Sequence, residues 1–243
     1  MHATGPTGQT RPTKISAYDD HVEAYAAYVA QREQGGPDHD PMGILPRLLD
    51  LLGDMAGRTV LDAGCGEGFL ARILAARGTR VTGIDLSPRL IDLARTKSPG
   101  GEIDFRVADL SAPLPDLVQH FDAVASYLVL NDVEDYRGFA ATLASVLKPG
   151  GRLVLVLNNP YGALVRGHVA DYFQSGAVTP YRHLWAAGIK VYHHHRTLEE
   201  YLDAFLGASL QLTKLADLPA VSSGVLPEGY RFPRFMLLAF VRP

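Results

Sequence analysis

The stretch Thr59 to Leu86, TVLDAGCGEGFLARILAARGTRVTGIDL, constrains this chain more than any other. A short apolar run (Val60, Leu61) leads into a glycine-dense turn (Gly64, Gly66, Gly68), a helical segment to about Arg77, a second apolar run and the acid Asp85. A strand, a turn, a helix and a strand ending in a carboxylate make a βαβ unit of the nucleoside-binding kind. Glycine permits positive φ in the turn and lets the backbone lie against a ligand that a Cβ would push away. The turn delivers the chain to a helix N-terminus, whose free N–H groups favour a carboxylate or phosphate. Asp85, closing the second strand, is placed to accept hydrogen bonds from ribose hydroxyls.

The glycines follow Asp62 in the spacing G-x-G-x-G, whereas the dinucleotide fingerprint is G-x-G-x-x-G. Taken together, VLDAGCGEG and GIDLSPRLIDLAR make the chain resemble the class I S-adenosylmethionine-dependent methyltransferases, over roughly Tyr18 to Leu157 and more loosely at the C-terminus. The resemblance implies an α/β fold: a Rossmann-like, seven-stranded, mostly parallel sheet with helices on both faces, an N-terminal lid helix and a cap inserted after the fifth strand. It implies S-adenosyl-L-methionine as cofactor. On this reading residues 16–243 form the methyltransferase domain, with the cap at 158–192.

Composition bounds the alternatives. A chain of 243 residues has ample length for a core, and 47% apolar with 20% charged residues is ordinary for a globular protein. The formal charge of −3 leaves no electrostatic footprint for nucleic acid or an anionic membrane. The single cysteine, Cys65, excludes an internal disulfide and suits a reducing cytoplasm. Residues 1–15 are polar and rich in Gly, Pro and Thr, so they read as a disordered tail without the apolar core of a signal peptide.

In chain order, Ser16 to Gln34 reads as a helix, with Tyr18, Val22, Tyr25 and Val29 on one stripe and Ser16 or Asp19 as its cap. A second helix spans Leu45 to Leu52. Ser87-Pro88, an N-cap followed by the favoured N1 proline, starts a helix to about Lys97. Ile103 to Val107 is the third strand, and Phe121 to Leu130 carries the apolar fourth, as suits a strand covered on both faces. A helix from Tyr136 to Leu147 stops at Lys148-Pro149-Gly150-Gly151, before a fifth strand at 152–158. The cap is expected to hold short helices. Thr197-x-x-Glu200 is a capping box that opens another helix. Gln211 to Ala216 and Phe235 to Val241 are the last strands, an antiparallel pair at one edge in the resembled fold. The intervening loop, Asp217 to Arg234, is expected to rim the pocket.

The resemblance also implies site residues. Tyr18 and Tyr25 of the lid would close over the methionine part of the cofactor, although an aromatic stripe is equally a packing face. Asp62 either caps the glycine turn or accepts from the cofactor's amino group. Gly64, Cys65 and Gly66 form the turn itself, in which Cys65 reads chiefly as a small spacer. Leu86 would lie on the adenine face, and Asp109, unless a plain turn aspartate, would bind the adenine amino group with Leu110 beside it. Ser126 falls at the carboxyl end of the fourth strand, where open α/β sheets bind ligands.

A sulfonium cofactor brings its own electrophile, so the protein's work is positioning, together with proton removal where the acceptor requires it. His193, His194 and His195 precede a helix beside the cap; in an extended segment His193 and His195 share one face and His194 takes the other. His195 and His194 are the candidate bases, against readings as solvated or core histidines and, more weakly, a metal pair lacking a third ligand. Asn131 and Asp132 stand near the switch point and could orient an acceptor. No metal site is expected. The segment Asn131-Asp132-Val133-Glu134-Asp135 resembles the position where related chains often carry a histidine pair, which this chain lacks, and the Asn/Asp-Pro-Pro-Tyr loop of nucleic-acid amino methyltransferases is missing. The reading is therefore methyl transfer to a small, hydrophobic or aromatic molecule of natural-product or cofactor biosynthesis type. The rivals are a non-catalytic S-adenosylmethionine-binding protein and an NAD-dependent dehydrogenase; oligomeric state is not legible.

Overall fold

The computed structural model describes residues 16–33, 44–180, 184, 188–218 and 233–243. The expected tail (1–15), most of the rim loop, and Tyr181, His183 and Trp185 of the cap lie outside the described residues. A 3₁₀ turn, Asp19–His21, leads into α1 (Val22–Glu33), and α2 (Ile44–Leu52) precedes the sheet. The alternating core follows as β1 (Thr59–Ala63), α3 (Phe69–Ala75), β2 (Arg80–Asp85), α4 (Pro88–Lys97), β3 (Asp104–Val107), β4 (Phe121–Tyr127), α5 (Tyr136–Val146) and β5 (Leu147–Asn158). After β5 come α6 (Tyr161–Val165), β6 (Val178–Pro180), β7 (Tyr192–His194), α7 (Leu198–Gly207), β8 (Gln211–Leu218) and β9 (Phe235–Val241).

Seven strands form one sheet in the order β3-β2-β1-β4-β5-β9-β8. Every pairing from β3 to β5 is parallel, and β9 runs antiparallel to both neighbours. The order reverses between β1 and β4, so the carboxyl ends of these two strands flank the switch point at which open α/β sheets bind ligands. Helices cover both faces. α5 and α7 bring Phe139, Leu143, Tyr201 and Phe205 onto Leu61, Val124 and Leu155. On the other face α2, α3 and α4 bring Leu48, Leu74 and Ile91 onto Val60, Val81 and Val154. Successive β5 residues thus enter opposite cores, the period of two that a strand imposes.

Local sequence signals set the element starts that matter most. Ser87 Oγ accepts from Leu90 N at 3.0 Å with Pro88 at N1, and Thr197 and Glu200 close the reciprocal capping box. Two boundaries differ from the sequence reading. β5 starts at Leu147, directly after α5, because Leu147 pairs with Phe121 before the register jumps to Ala123 opposite Arg152. The Lys148-Pro149-Gly150-Gly151 segment is therefore an irregularity within the strand and not a stop ahead of it. Among the described residues, the segment after β5 holds α6 and a helical residue at Leu184, as the expected short helices require, and adds a two-stranded ribbon, β6 with β7, that was not expected. The lid begins as a turn: Ser16 Oγ accepts from Tyr18 N at 3.2 Å, while Asp19 Oδ1 accepts from Ser87 Oγ at the start of α4.

Candidate active site

The glycine turn is pinned to the second strand. Gly64 N and Cys65 N both donate to Ile84 O, at 2.8 and 3.0 Å. Gly64 has φ of +80°, and a Cβ there would fall 2.4 Å from Cγ2 of Val129; only glycine lets the turn and the loop after β4 approach this closely. Asp85 braces the turn from the other side. One carboxylate oxygen accepts from Gly66 N at 2.9 Å and the other from Ser87 N at 2.8 Å. Each oxygen keeps acceptor capacity for a further donor. Burial raises the Asp85 pKa, the Ser87 and Gly66 amides oppose that, and the charges of Asp132 and Asp19 raise it again.

A cleft of about 330 Å³ opens over the switch point, within the range of small-molecule sites. Of the residues expected to hold a cofactor, Gly64, Gly66, Asp85, Leu86, Asp109, Leu110, Tyr18 and Tyr25 all line it, and so does His194. Asp109 also accepts from Ser111 N at 2.8 Å, so it builds its turn as well as facing the cleft. Tyr18 and Tyr25 meet edge to face, with centroids 5.2 Å apart, and pack with Leu184, Ile189 and Val191. The lid and the segment before β7 thus cover the cleft together.

Five expected residues do not line the cleft. Asp62 is buried, and its Oδ2 accepts no hydrogen bond. Burial lifts its pKa to about 7 against the Ala71 amide, with Asp85 and Glu67 adding to the rise and Arg72 opposing it. Cys65 is buried, packs in the core and has its pKa pushed up by burial first and by Asp62 next. Ser126 Oγ donates to Ala63 O at 2.9 Å, tying β4 to β1. Asn131 is 7% exposed; its Oδ1 accepts from Asn158 N at 2.9 Å, and its carbonyl accepts from His194 N at 2.8 Å. This side chain joins the β4 loop to the end of β5 and away from the cleft. His195 is 4% exposed, with Nε2 2.7 Å from Tyr172 O. The alternation across β7 therefore brings His194 to the cleft and leaves His195 as an anchor of the cap.

Sequence reasoning did not single out Leu128 and Val129, which the fold brings to the cleft between Tyr127 at the end of β4 and the expected Asp132. Tyr127, Leu128 and Val129 line the cleft, and Leu128 holds φ of +62°, an uncommon conformation for a non-glycine residue that clusters at functional sites. Position directly after a parallel strand at the switch point was the available signal. Asp132 also lines the cleft, accepting from Tyr18 Oη at 3.1 Å on Oδ2 and standing 3.1 Å from His193 Nε2 on Oδ1. Behind the turn, the buried carboxylate of Glu67 pairs with Arg72 at 3.1 Å and Lys97 at 2.6 Å, locking turn, α3 and α4 together. Among the described residues no group of three or more His, Cys, Asp or Glu side chains could hold a metal ion. No described helix is long and apolar enough to cross a membrane.

Known proteins match this geometry. A family model described as methyltransferase domain matches residues 61–155. The ubiquinone biosynthesis O-methyltransferase of Xylella fastidiosa is 34% identical over 173 residues, 65% of this chain and 70% of that protein. The demethylmenaquinone methyltransferase of Tropheryma whipplei is 42% identical over 106 residues, 43% of this chain and 44% of that protein. The chain thus spans less than half the length of this last relative, and 64% of a Xanthomonas oryzae ubiquinone biosynthesis O-methyltransferase that it also matches. Among solved structures, an S-adenosylmethionine-dependent methyltransferase from Mesorhizobium loti superposes with a TM-score of 0.68 at 29% identity, covering 81% of this chain and 96% of that one. The geranyl diphosphate C-methyltransferase of Streptomyces coelicolor, at 20% identity and a TM-score of 0.61 over 96% of this chain and 86% of that one, shares the fold. The glycine turn, the acid closing β2 and the sheet order thus belong to one lineage, and the chain is a member of the class I S-adenosylmethionine-dependent methyltransferase family.

Proposed function

We propose that this protein transfers the methyl group of S-adenosylmethionine to a small apolar or aromatic acceptor of the quinone-biosynthesis type. The observation that carries the reading is an acidic cleft at the switch point: Asp85, Asp109, Asp132 and Glu134 all line it. A cationic cofactor suits this field, and the orphaned, buried Oδ2 of Asp62 beside the turn adds an acceptor with no partner of its own. The two phosphates of a nicotinamide dinucleotide would meet the same carboxylates with repulsion, which weighs against the dehydrogenase reading. Asp85 would hold the ribose hydroxyls, Leu86, Asp109 and Leu110 the adenine, and Gly64, Gly66 and Asp62 the methionine end under Tyr18 and Tyr25.

The bound cofactor supplies an activated methyl group, so the chain contributes no nucleophile. The lid tyrosines exclude water, and Val129, held against Gly64, sets the depth at which an acceptor stops. Holding two reactants in line supplies on the order of 7 to 11 kcal/mol of the barrier. The names of the ubiquinone and demethylmenaquinone relatives point to quinone-type acceptors, and that of the ubiquinone relatives to O-methyl transfer, and the apolar residues Val133, Phe139 and Val191 of the cleft suit such acceptors. The test is transfer of label from methyl-labelled S-adenosylmethionine to a panel of hydroxylated quinols and phenols, read by mass spectrometry. A methylated product supports the reading; tight cofactor binding with no transfer to any acceptor would favour a non-catalytic binding protein.

A further inference from the structure

We infer that Asp132, partnered by His193, is the proton acceptor for a weakly acidic hydroxyl of the methyl acceptor, making a phenol the substrate class of this cleft. The inference rests on the proposed methyl transfer and adds the group that handles the proton. Asp132 follows β4 by a few residues, its amide donating to Val129 O at 2.8 Å, so the loop that limits the cleft also aims this carboxylate. Its Oδ2 accepts from Tyr18 Oη at 3.1 Å. Its Oδ1 is buried and accepts no hydrogen bond, although His193 Nε2 lies 3.1 Å away. A carboxylate oxygen accepts more than one donor, so beside His193 Nε2 it keeps room for a substrate hydroxyl.

The strand that carries the imidazole is held from two directions. His194 N donates to Asn131 O, and Thr179 pairs with His193 across the β6–β7 ribbon. Asn131 is fixed in turn by Asn158 N. The cap therefore carries His193 to a carboxylate that belongs to the β4 loop, and neither half of the pair is complete without the other. Val133, Phe139, Val191 and Tyr192 line the same cleft, an apolar and aromatic setting for a ring whose hydroxyl meets Asp132.

In the step, the acceptor O–H bond breaks and its proton passes to the Asp132 carboxylate, shared with His193 Nε2. The oxygen forms its bond to the methyl carbon as the C–S bond breaks, and that electron pair leaves on sulfur. The products are a methyl ether and a neutral thioether, and the proton later returns to water. Asp132 touches the acceptor; His193 is a positioning residue that acts through it.

Two readouts test this with para-substituted phenols of graded acidity. In the complex with S-adenosylhomocysteine, wild type should bind a phenol at least roughly tenfold more tightly than its methyl ether, the low end of a hydrogen bond to a charged group, and Asp132→Asn should lose that preference. In turnover, Asp132→Asn should fall by about 10²- to 10⁴-fold on weakly acidic phenols, and by far less on nitrophenols that are already ionised. His193→Gln should show the same dependence on acidity, weakened. Tyr18→Phe, which removes only the hydroxyl on Oδ2, should lower rates evenly along the series. Melting temperatures and S-adenosylhomocysteine affinity report whether each variant is folded. A uniform loss across the series in Asp132→Asn, or a retained preference for phenol over ether, overturns the pair as base and leaves the methyl-transfer reading standing. Wild type that transfers to no acceptor overturns both.

Discussion

Asp62→Asn should make the protein more tolerant of neutral and mildly alkaline pH. The Asp62 carboxyl holds its proton in the native state up to about pH 7, against an ordinary value of 3.8, because it is buried beside Asp85 and Glu67. In the unfolded chain it ionises near the ordinary value. Between those two points the native state binds the extra proton, so stability falls as pH rises through the window. The contribution is complete below the unfolded pKa and gone above the native one. At about 1.4 kcal/mol per pH unit, a gap of about 3 units caps the effect at about 4 kcal/mol. Asparagine does not titrate, and its oxygen can still accept from the Ala71 amide. Thermal unfolding of both proteins between about pH 5 and about pH 8 should show the variant gaining on wild type by about 5 °C or more, since 1 kcal/mol is about 2 to 4 °C in a domain of this size. Parallel curves would refute the argument, because they would mean that Asp62 is ionised at the same pH in both states.

Three further outcomes follow from the site. Asp85→Ala removes the acceptor for Gly66 N and Ser87 N along with the proposed ribose contacts, and calorimetry should find S-adenosylhomocysteine binding weaker by about 1.5 to 3 kcal/mol, roughly 10- to 150-fold. His195→Ala should cost about 1 to 3 kcal/mol of stability in a denaturant titration, by leaving the Tyr172 carbonyl without its partner, while turnover at a temperature where the variant is folded stays within a few-fold of wild type. Gly64→Ala meets both a positive φ and a Cβ position 2.4 Å from Val129, so a loss of about 2 to 4 kcal/mol is expected in the same titration, with cofactor binding falling in parallel.

The βαβ core was legible because its signals are local. The glycine turn, the carboxylate closing β2, the Ser87-Pro88 cap and the Thr197–Glu200 box each specify a conformation within a few residues. What escaped the sequence depends on pairings between distant segments. The early start of β5 needs Phe121 opposite Leu147, and the β6–β7 ribbon needs Val178 opposite His194; neither partner is visible from the other. Alternation along an extended run did separate His194 from its two neighbours, but only the tertiary fold says which face meets the cleft. Asn131 and Asp132 both read as placed to orient an acceptor by their position after β4, and the fold separates them. The Asn131 side chain is occupied by Asn158 and Tyr201, while Asp132 beside it turns toward Tyr18 and His193.

The most direct test of the account is a calorimetric titration of the full chain with S-adenosylhomocysteine, run beside NAD⁺. One-to-one binding of S-adenosylhomocysteine, with no heat from NAD⁺, is the predicted result, since the acidic cleft and the G-x-G-x-G turn both favour the phosphate-free nucleoside. Binding of NAD⁺ with none of S-adenosylhomocysteine would contradict the account and undo every cofactor contact assigned to Asp85, Leu86 and Asp109.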